Sequence, residues 1–311
     1  MPTAPFVVQP ELTAIAIAYG QKPADFIADQ VMPRVKPISK REFKYLVYGL
    51  ETYSRPDTRV GRKGRPNEVS WSSKEETASV EDFGLDDPIP QDDIDQGGKD
   101  GINVTGQSTE YIMSLLRLDR ECRVADLVQN ASSYNAANVE TLAGGQGLDN
   151  NEVDAPEIIR DILERPIVRP NIGVMSRHVW GKVAHNALLV KAIRGSLSGD
   201  KITPQDFCDY FELETLLIGP ARKNRAVKGK TPTLESIWGP HIAFQYRDLA
   251  ASTQRGVTWG LTVPYGTAVA GARPDGNIGL RGGVRVRAGE SLKELVLSTD
   301  AGCLIKNAIA V

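Results

Sequence analysis

Histidine and cysteine are scarce in this chain of 311 residues, with three of each. His178, His185 and His241 are too few and too scattered for a metal centre. His178 and His185 lie seven positions apart, two helical turns, and neither sits in an H-E-x-x-H frame. Cys122, Cys208 and Cys303 are odd in number, far apart and set among apolar neighbours, which reads as reduced, buried thiols of a protein made in a reducing cytoplasm. The first residues, MPTAPFVVQP, lack the basic start and continuous apolar core of a signal peptide. No apolar run approaches the roughly 20 residues that cross a bilayer, so no membrane partner is expected. Excess charge is missing too. A formal net charge of -2 argues against a dedicated nucleic-acid binder.

What is present begins with a helix. From Gln107 to Ala143 there is neither Gly nor Pro, in a chain with 29 Gly and 19 Pro. Tyr111, Leu115, Leu118, Cys122, Ala125 and Val128 recur at helical spacing. A second row, Ile112, Leu116, Val124, Leu127 and Ala131, widens the stripe. Ser108 or Thr109 can cap the start, and Glu110 suits the positive end of the dipole. The pattern predicts a helix over about 107–133. Such a helix can be a strut on which separate lobes hang, or the core helix of an enzyme domain.

Before it, residues 1–43 read as an arm, broken by Pro2, Pro5, Pro10, Pro23, Pro33 and Pro37. Phe26, Ile27, Val31 and Val35 cannot form a core in so short a piece, and must pack on the rest of the chain or on a neighbouring copy. Residues 44–83 read as a long β-hairpin. KYLVYGLETY goes out and NEVSWSSKEETASVE returns, with alternation at Val69, Trp71 and Ser73. The tip between them carries Arg55, Arg59, Arg62, Lys63 and Arg65. An acidic connector follows, with Glu81, Asp82, Asp86, Asp87, Asp92, Asp93 and Asp95. It reads either as a solvated loop or as a block that meets the basic tip of another copy. It lacks the D-x-D-x-D-G spacing of a calcium loop, so no metal is assigned.

After a Gly- and Asn-rich turn near residue 150, helix and strand signals alternate. PEIIRDILERP, RHVWGKVAHNALLVKAIRG and TPQDFCDYFEL read as helices; NIGVMS, ETLLIGPAR, SIWGPHIAFQYRD and RGVTWGLTV read as strands. Val284 and Val286 alternate with Arg285 and Arg287, a strand with one wet face, and Leu304, Ile305 and Ile309 tie the C-terminus into a sheet. The fold class is α+β.

An active site cannot be assembled from these residues. There is no G-x-S-x-G elbow. NRAVKGKT has the Gly229, Lys230, Thr231 end of a phosphate loop but Asn224 where that loop needs glycine, and reads as a basic surface loop. The glycines of GARPDGNIGLRGG are turn glycines. No catalytic residue, cofactor or metal is assigned.

The order of these parts resembles the major capsid proteins of tailed bacteriophages, with the Hong-Kong-type shell fold shared with encapsulins. The likeness rests on FIADQVMPRV, KYLVYGLETY with RPDTRVGRKGRPNEVSW, STEYIMSLLRLDRECRVADL, PNIGVMSRHVWGKVAHN and ITPQDFCDYFELETLLIGPARKN. It implies an N-terminal arm (1–43), an extended hairpin loop (44–83), a peripheral domain (84–164) with the spine helix, an axial domain (165–280) and C-terminal strands (281–311). It also implies self-assembly, as hexamers and pentamers, into an icosahedral head around double-stranded DNA, made in the host bacterial cytoplasm. Scaffolding, portal and decoration proteins are the further partners, and the DNA contact is non-specific. Because the chain starts almost at the arm, scaffolding would be a separate protein or already removed. An encapsulin-like shell around protein cargo is the alternative, and a soluble α+β enzyme a more distant one. The expected assembly contacts are Phe26 and Val31 on the arm, Arg55, Arg59, Arg62, Lys63 and Arg65 on the tip, and Asp86, Asp87, Asp92 and Asp93 on the connector. On the spine, Leu115, Leu118 and Cys122 are expected to face the sheet, with Arg117, Asp119 and Arg120 on the polar side.

Overall fold

A computed structural model describes residues 9–20, 26–47, 55–68, 74–195, 201–226 and 229–310. In chain order its helices are α1 (Pro10–Gly20), α2 (Ala28–Val31), α3 (Gln91–Lys99), α4 (Val104–Val128), α5 (Ala155–Leu163), α6 (Arg177–Val183), α7 (Ala187–Arg194) and α8 (Pro204–Phe211). The strands are β1 (Glu42–Val47), β2 (Lys74–Ser79), β3 (Glu81–Pro90), β4 (Val139–Thr141), β5 (Ile172–Ser176), β6 (Thr215–Gly219), β7 (Arg222–Asn224), β8 (Leu234–Ser236), β9 (Ile242–Gln245), β10 (Gly260–Pro264), β11 (Val269–Asp275), β12 (Gly283–Val296) and β13 (Gly302–Lys306).

Helix α4 spans 25 residues, about 37 Å of rise. It starts earlier than Ser108, because the Asn103 side chain accepts from the Gly106 N–H at 2.9 Å and closes the first turn. Ser108 and Thr109, the expected caps, are buried on its inner side. It stops at Val128, and residues 131–133 form a separate single turn capped by Asn130.

The face turned to the sheets takes Ile112, Leu116 and Val124 from the second apolar row and Ala125 and Val128 from the end of the first. Ile112, Leu116, Val124 and Val128 are buried, whereas Tyr111 is 61% exposed and Leu115, Leu118 and Cys122 are half-buried. Arg120, expected on the polar side, is 3% exposed. The helix is a strut with two seats. Ile112, Met113 and Leu116 pack with Leu12 of α1 and with Ile89, Val286 and Ala288. Val124, Ala125 and Val128 pack with Ile172, Leu304 and Trp259.

The first seat is a four-stranded antiparallel sheet. Its central strand β12 pairs with β3, β10 and β11. Val284, Val286 and Ala288 point at α4, and Arg285 and Arg287 alternate onto the opposite face. The acidic connector is therefore not a loop. Its first part is β3 itself, an edge strand that tolerates Pro88 and Pro90, and its second part is α3. Few residues of β3 favour strands, but β12 offers it ten register partners and two arginines.

The second seat is a mixed five-stranded sheet in the order β4-β13-β9-β5-β6. Both faces are covered, so β5 and β9 are buried at every position. Ile172, Val174 and Leu304 face α4. Met175, Phe244 and Ile305 face α5 to α8 through Ile162, Val179, Leu189 and Phe207. Thr203 and Asp206 form the capping box of α8. Residues 177–195 fold as two helices rather than one, because the Asn186 side chain caps α7 in mid-stretch. After residue 281 the chain enters both sheets, as β12 in one and β13 in the other.

Candidate assembly surfaces

Strands β1 and β2 pair from Glu42–Ser79 to Val47–Lys74. Phe43, Tyr45 and Ala78 pack on Leu261, Val263, Leu295 and Leu297, together with Val35 and Ile38 of the arm. The Leu46 N–H donates to the Thr253 carbonyl at 3.0 Å. The base of the hairpin is thus anchored on the body. The expected strand positions Val69, Trp71 and Ser73, and the outgoing strand beyond Val47, fall outside the described residues. The tip, residues 55–68, is exposed throughout. Its described hydrogen bonds are local: Asp57 accepts from the Arg59 N–H and its carbonyl accepts from Asn67. Arg55, Arg59, Arg62, Lys63 and Arg65 stand there against Asp57 and Glu68 alone.

The arm is placed differently. Val31 is 2% exposed and Phe26 half-buried, both packed on the chain's own core with Val124, Ala125 and Trp238. Within the single chain the Val31 side chain is thus taken up by the chain's own core. The arm then runs parallel to β10, with bonds from Val35 N to Thr262 O and from Ile38 N to Pro264 O, each 2.9 Å.

A run of alternating charges fixes this segment. Arg34 bridges Glu290 at 2.6 Å and Asp29 at 2.9 Å. Asp29 also pairs with the buried Arg120, which approaches Glu294 at 3.8 Å. Arg123 bonds Glu294 at 3.0 Å, pairs with Asp119, and lies 3.6 Å above the Phe83 ring. Burial would raise the Asp29 carboxyl, but the Arg120 and Arg34 guanidinium groups outweigh it and hold it below the usual carboxylate value. Glu121, fully buried, accepts from Ile27 N (3.0 Å), Ala28 N (2.8 Å) and Trp238 Nε1 (2.7 Å). Burial pushes its carboxyl upward, against the pull of those donors. Sequence reasoning missed both residues. The available signal was Arg120 interrupting the four-residue row Ile112, Leu116, Val124, Val128.

The connector's carboxylates are largely engaged within the chain. Asp86 takes a two-pronged bond from Arg287, 2.6 Å at one prong, which holds it below the usual carboxylate value. Asp87 accepts from Ser108. Asp92 meets Arg281 at 2.9 Å in an exposed pair, and Asp93 is exposed. Beside Asp86 the open face of the sheet sinks into a groove between Tyr265, Val269 and Phe83. Its floor is the cross-strand pair Gly84–Gly289, where a Cβ at Gly289 would meet the Phe83 carbonyl oxygen at 2.6 Å.

Among the described residues no catalytic cluster emerges. Among the described residues no group of three or more His, Cys, Asp and Glu could hold a metal. His178 and His185 are exposed on and just beyond α6, and burial, with Lys306 nearby, lowers the His241 pKa. Cys208 and Cys303 are buried free thiols, Cys122 a half-buried one. The described part of the NRAVKGKT stretch lies between β7 and β8, where Asn224 accepts from Ala226 N and Thr233 N, and the next described element is a strand rather than the helix of a phosphate loop.

No family model matches the chain. It is 47% identical over 313 residues to the major capsid protein of Pseudomonas phage JBD67, covering 100% of both chains. It is 27% identical to the major capsid protein of Burkholderia phage BcepMu, covering 96% of each. Among solved structures, a phage-related protein from Bordetella bronchiseptica RB50 superposes with a TM-score of 0.75 at 19% identity, over 98% of this chain and 99% of that one. The capsid of cyanophage P-SCSP1u gives a TM-score of 0.58 at 13% identity, over 90% and 88%. The chain belongs to the bacteriophage major capsid proteins, structural coat proteins of the virion shell rather than enzymes, and it has their Hong-Kong-type α+β fold.

Proposed function

We propose that this coat protein closes an icosahedral head from hexamers and pentamers around double-stranded DNA, and that assembly takes place in the host bacterial cytoplasm. The observation that carries this reading is the hairpin tip. An anchored base with an exposed end of five cations has no use in a lone subunit, and it suits a reach onto a neighbour. Gly61, Gly64, Pro56 and Pro66 let the tip change its tilt between five- and six-fold surroundings.

The landing place is narrowed by the connector's internal bonds. Asp86 and Asp87 are occupied, which leaves Asp92 and Asp93 on α3. The Asp92–Arg281 pair is exposed on both sides, and such a pair gives up its partner at little cost. Scaffolding, portal and decoration proteins complete the assembly, and the DNA is held by non-specific contacts to scattered Arg and Lys.

Electron microscopy of the expressed protein, alone and with a scaffolding protein, tests the reading. The expected result is closed polyhedral particles whose purified form contains nuclease-protected DNA when packaging proteins are present. Closed particles filled with protein and free of nucleic acid would replace the DNA head by a cargo shell. Absence of particles under every condition would overturn both.

A further inference from the structure

The arm, the spine helix and both sheets meet at two consecutive residues. Arg120 bonds toward the four-stranded side, with Thr262 Oγ1 of β10 at 3.1 Å and Glu294 of β12 at 3.8 Å. From the arm it takes Asp29 and the Met32 carbonyl. Glu121 bonds toward the five-stranded side, with Trp238 Nε1 ahead of β9 at 2.7 Å, and on the arm takes the N–H groups of Ile27 and Ala28. The six residues Ile27–Met32 are thus held from both sheets at once. The clamp also sits where the packing of α4 passes from one apolar cluster to the other, between Leu116 and Val124.

We infer that residues Ile27–Met32 lock the joint between the two sheets, with Arg120 and Glu121 as the two sides of the clamp. Long helices curve rather than act as straight rods, so α4 is not by itself a rigid gauge of the angle between what packs at its ends. The arm segment ties it, because it lies across the joint and is bonded to both sides, alongside the direct link from Trp259 N to the Tyr246 carbonyl at 2.8 Å. The clamp is directional. Both Glu121 oxygens are filled by three N–H donors, so an amide in its place turns a donor toward a donor. When the segment is seated, one sheet–sheet angle is held. When it leaves, the joint is free to take others. The consequence for a shell, subunits adjusting between five- and six-fold places, rests on the reading proposed above; the lock itself does not.

The test uses the full chain as unassembled subunits, with and without Glu121→Gln. Hydrogen exchange is followed by mass spectrometry. The spread of distances between spin labels at Lys182→Cys on α6 and Leu280→Cys at the β11–β12 turn is measured in a Cys122→Ser background. In Glu121→Gln, exchange at Ile27–Met32 and Ile237–Gly239 is expected to quicken about tenfold to a hundredfold, as befits losing a hydrogen bond to a charged group. Exchange within β5 and β12 should stay as it was, and the distance distribution should broaden. Unchanged exchange at Ile27–Met32, equal quickening everywhere, or a released segment with an unbroadened distance would each overturn the lock. Should Glu121→Gln not fold, Asp29→Asn, at a carboxylate whose side chain is 47% exposed, gives the same two readouts at smaller size, and no change in either overturns it. Both readouts concern single subunits, so their failure is separate from a failure to form shells.

Discussion

Residues 26–38 and 55–68 look alike in the sequence and end in opposite situations. Both are broken by proline, and neither can build a core of its own. The arm finds a seat within the chain, with Val31 buried at 2% exposure and Glu121 accepting its N–H groups. The tip finds none and stands exposed over its whole length. Composition is therefore a poor guide to which segment reaches out. What decides is whether the body offers matching donors, acceptors and apolar surface, and α4 offers them to the arm.

The widest separation between the two comes from removing one or damaging the other. Deleting Pro56–Pro66 should abolish closed particles in electron micrographs while the subunit's unfolding free energy moves by about 0.5 kcal/mol or less, as for other exposed segments. Val31→Asp should do the reverse at its source. A carboxylate in the Val124–Trp238 cluster should cost about 3 kcal/mol or more in denaturant unfolding, and assembly would fail because the subunit does. Particles of normal size from the deletion would remove the tip's role. A neutral Val31→Asp would mean that the arm is not seated as described.

A finer cut reverses charge at chosen places. Replacing Arg59, Arg62 and Arg65 by Glu should slow assembly followed by light scattering far more than the same change at Lys228 and Lys230. The difference should shrink as salt rises past the screening range. Equal slowing by both sets would show that overall charge, not the tip, is what neighbours sense.

How much of this could be read in advance depends on which force fixes each part. The spine helix was legible, because its period is local. Its inner side was not, since two apolar rows competed and only the sheets choose between Tyr111–Leu115–Leu118 and Ile112–Leu116–Val124. Arg120 lies four residues from both Leu116 and Val124, inside the winning row. A charge at such a position signals a buried pairing, and reading it as merely polar put it on the wrong side. Strand β3 was hidden for another reason. Its own residues disfavour strands, and the force that makes it one comes from β12, about 200 residues later, through Arg287 and Asp86. The basic tip was legible because nothing in the fold acts on it.

Acid gives the smallest expected effect and a sharp contrast between the two segments. Asp29 has its carboxyl held below the ordinary value of 3.8, burial being outweighed by Arg120 and Arg34. A depressed folded pKa means that the contribution is present above the unfolded value and is lost as pH falls through the folded one. Glu121 works with the opposite sign. Burial raises it, so its contribution is fully present below its unfolded pKa and is lost as pH rises through its folded value. Lowering pH from about 4 toward 2 should therefore loosen the arm through Asp29 alone, because the Glu121 contribution is already complete below its unfolded pKa, an effect of at most a few-fold in exchange at Ile27–Met32. Asp29→Asn should abolish that acid response, whereas Glu121, which titrates above this pH range, should not contribute to it. An acid response at Ile27–Met32 that persists unaltered in Asp29→Asn would take the pH sensitivity away from the charge ladder and leave the arm held by its apolar contacts alone.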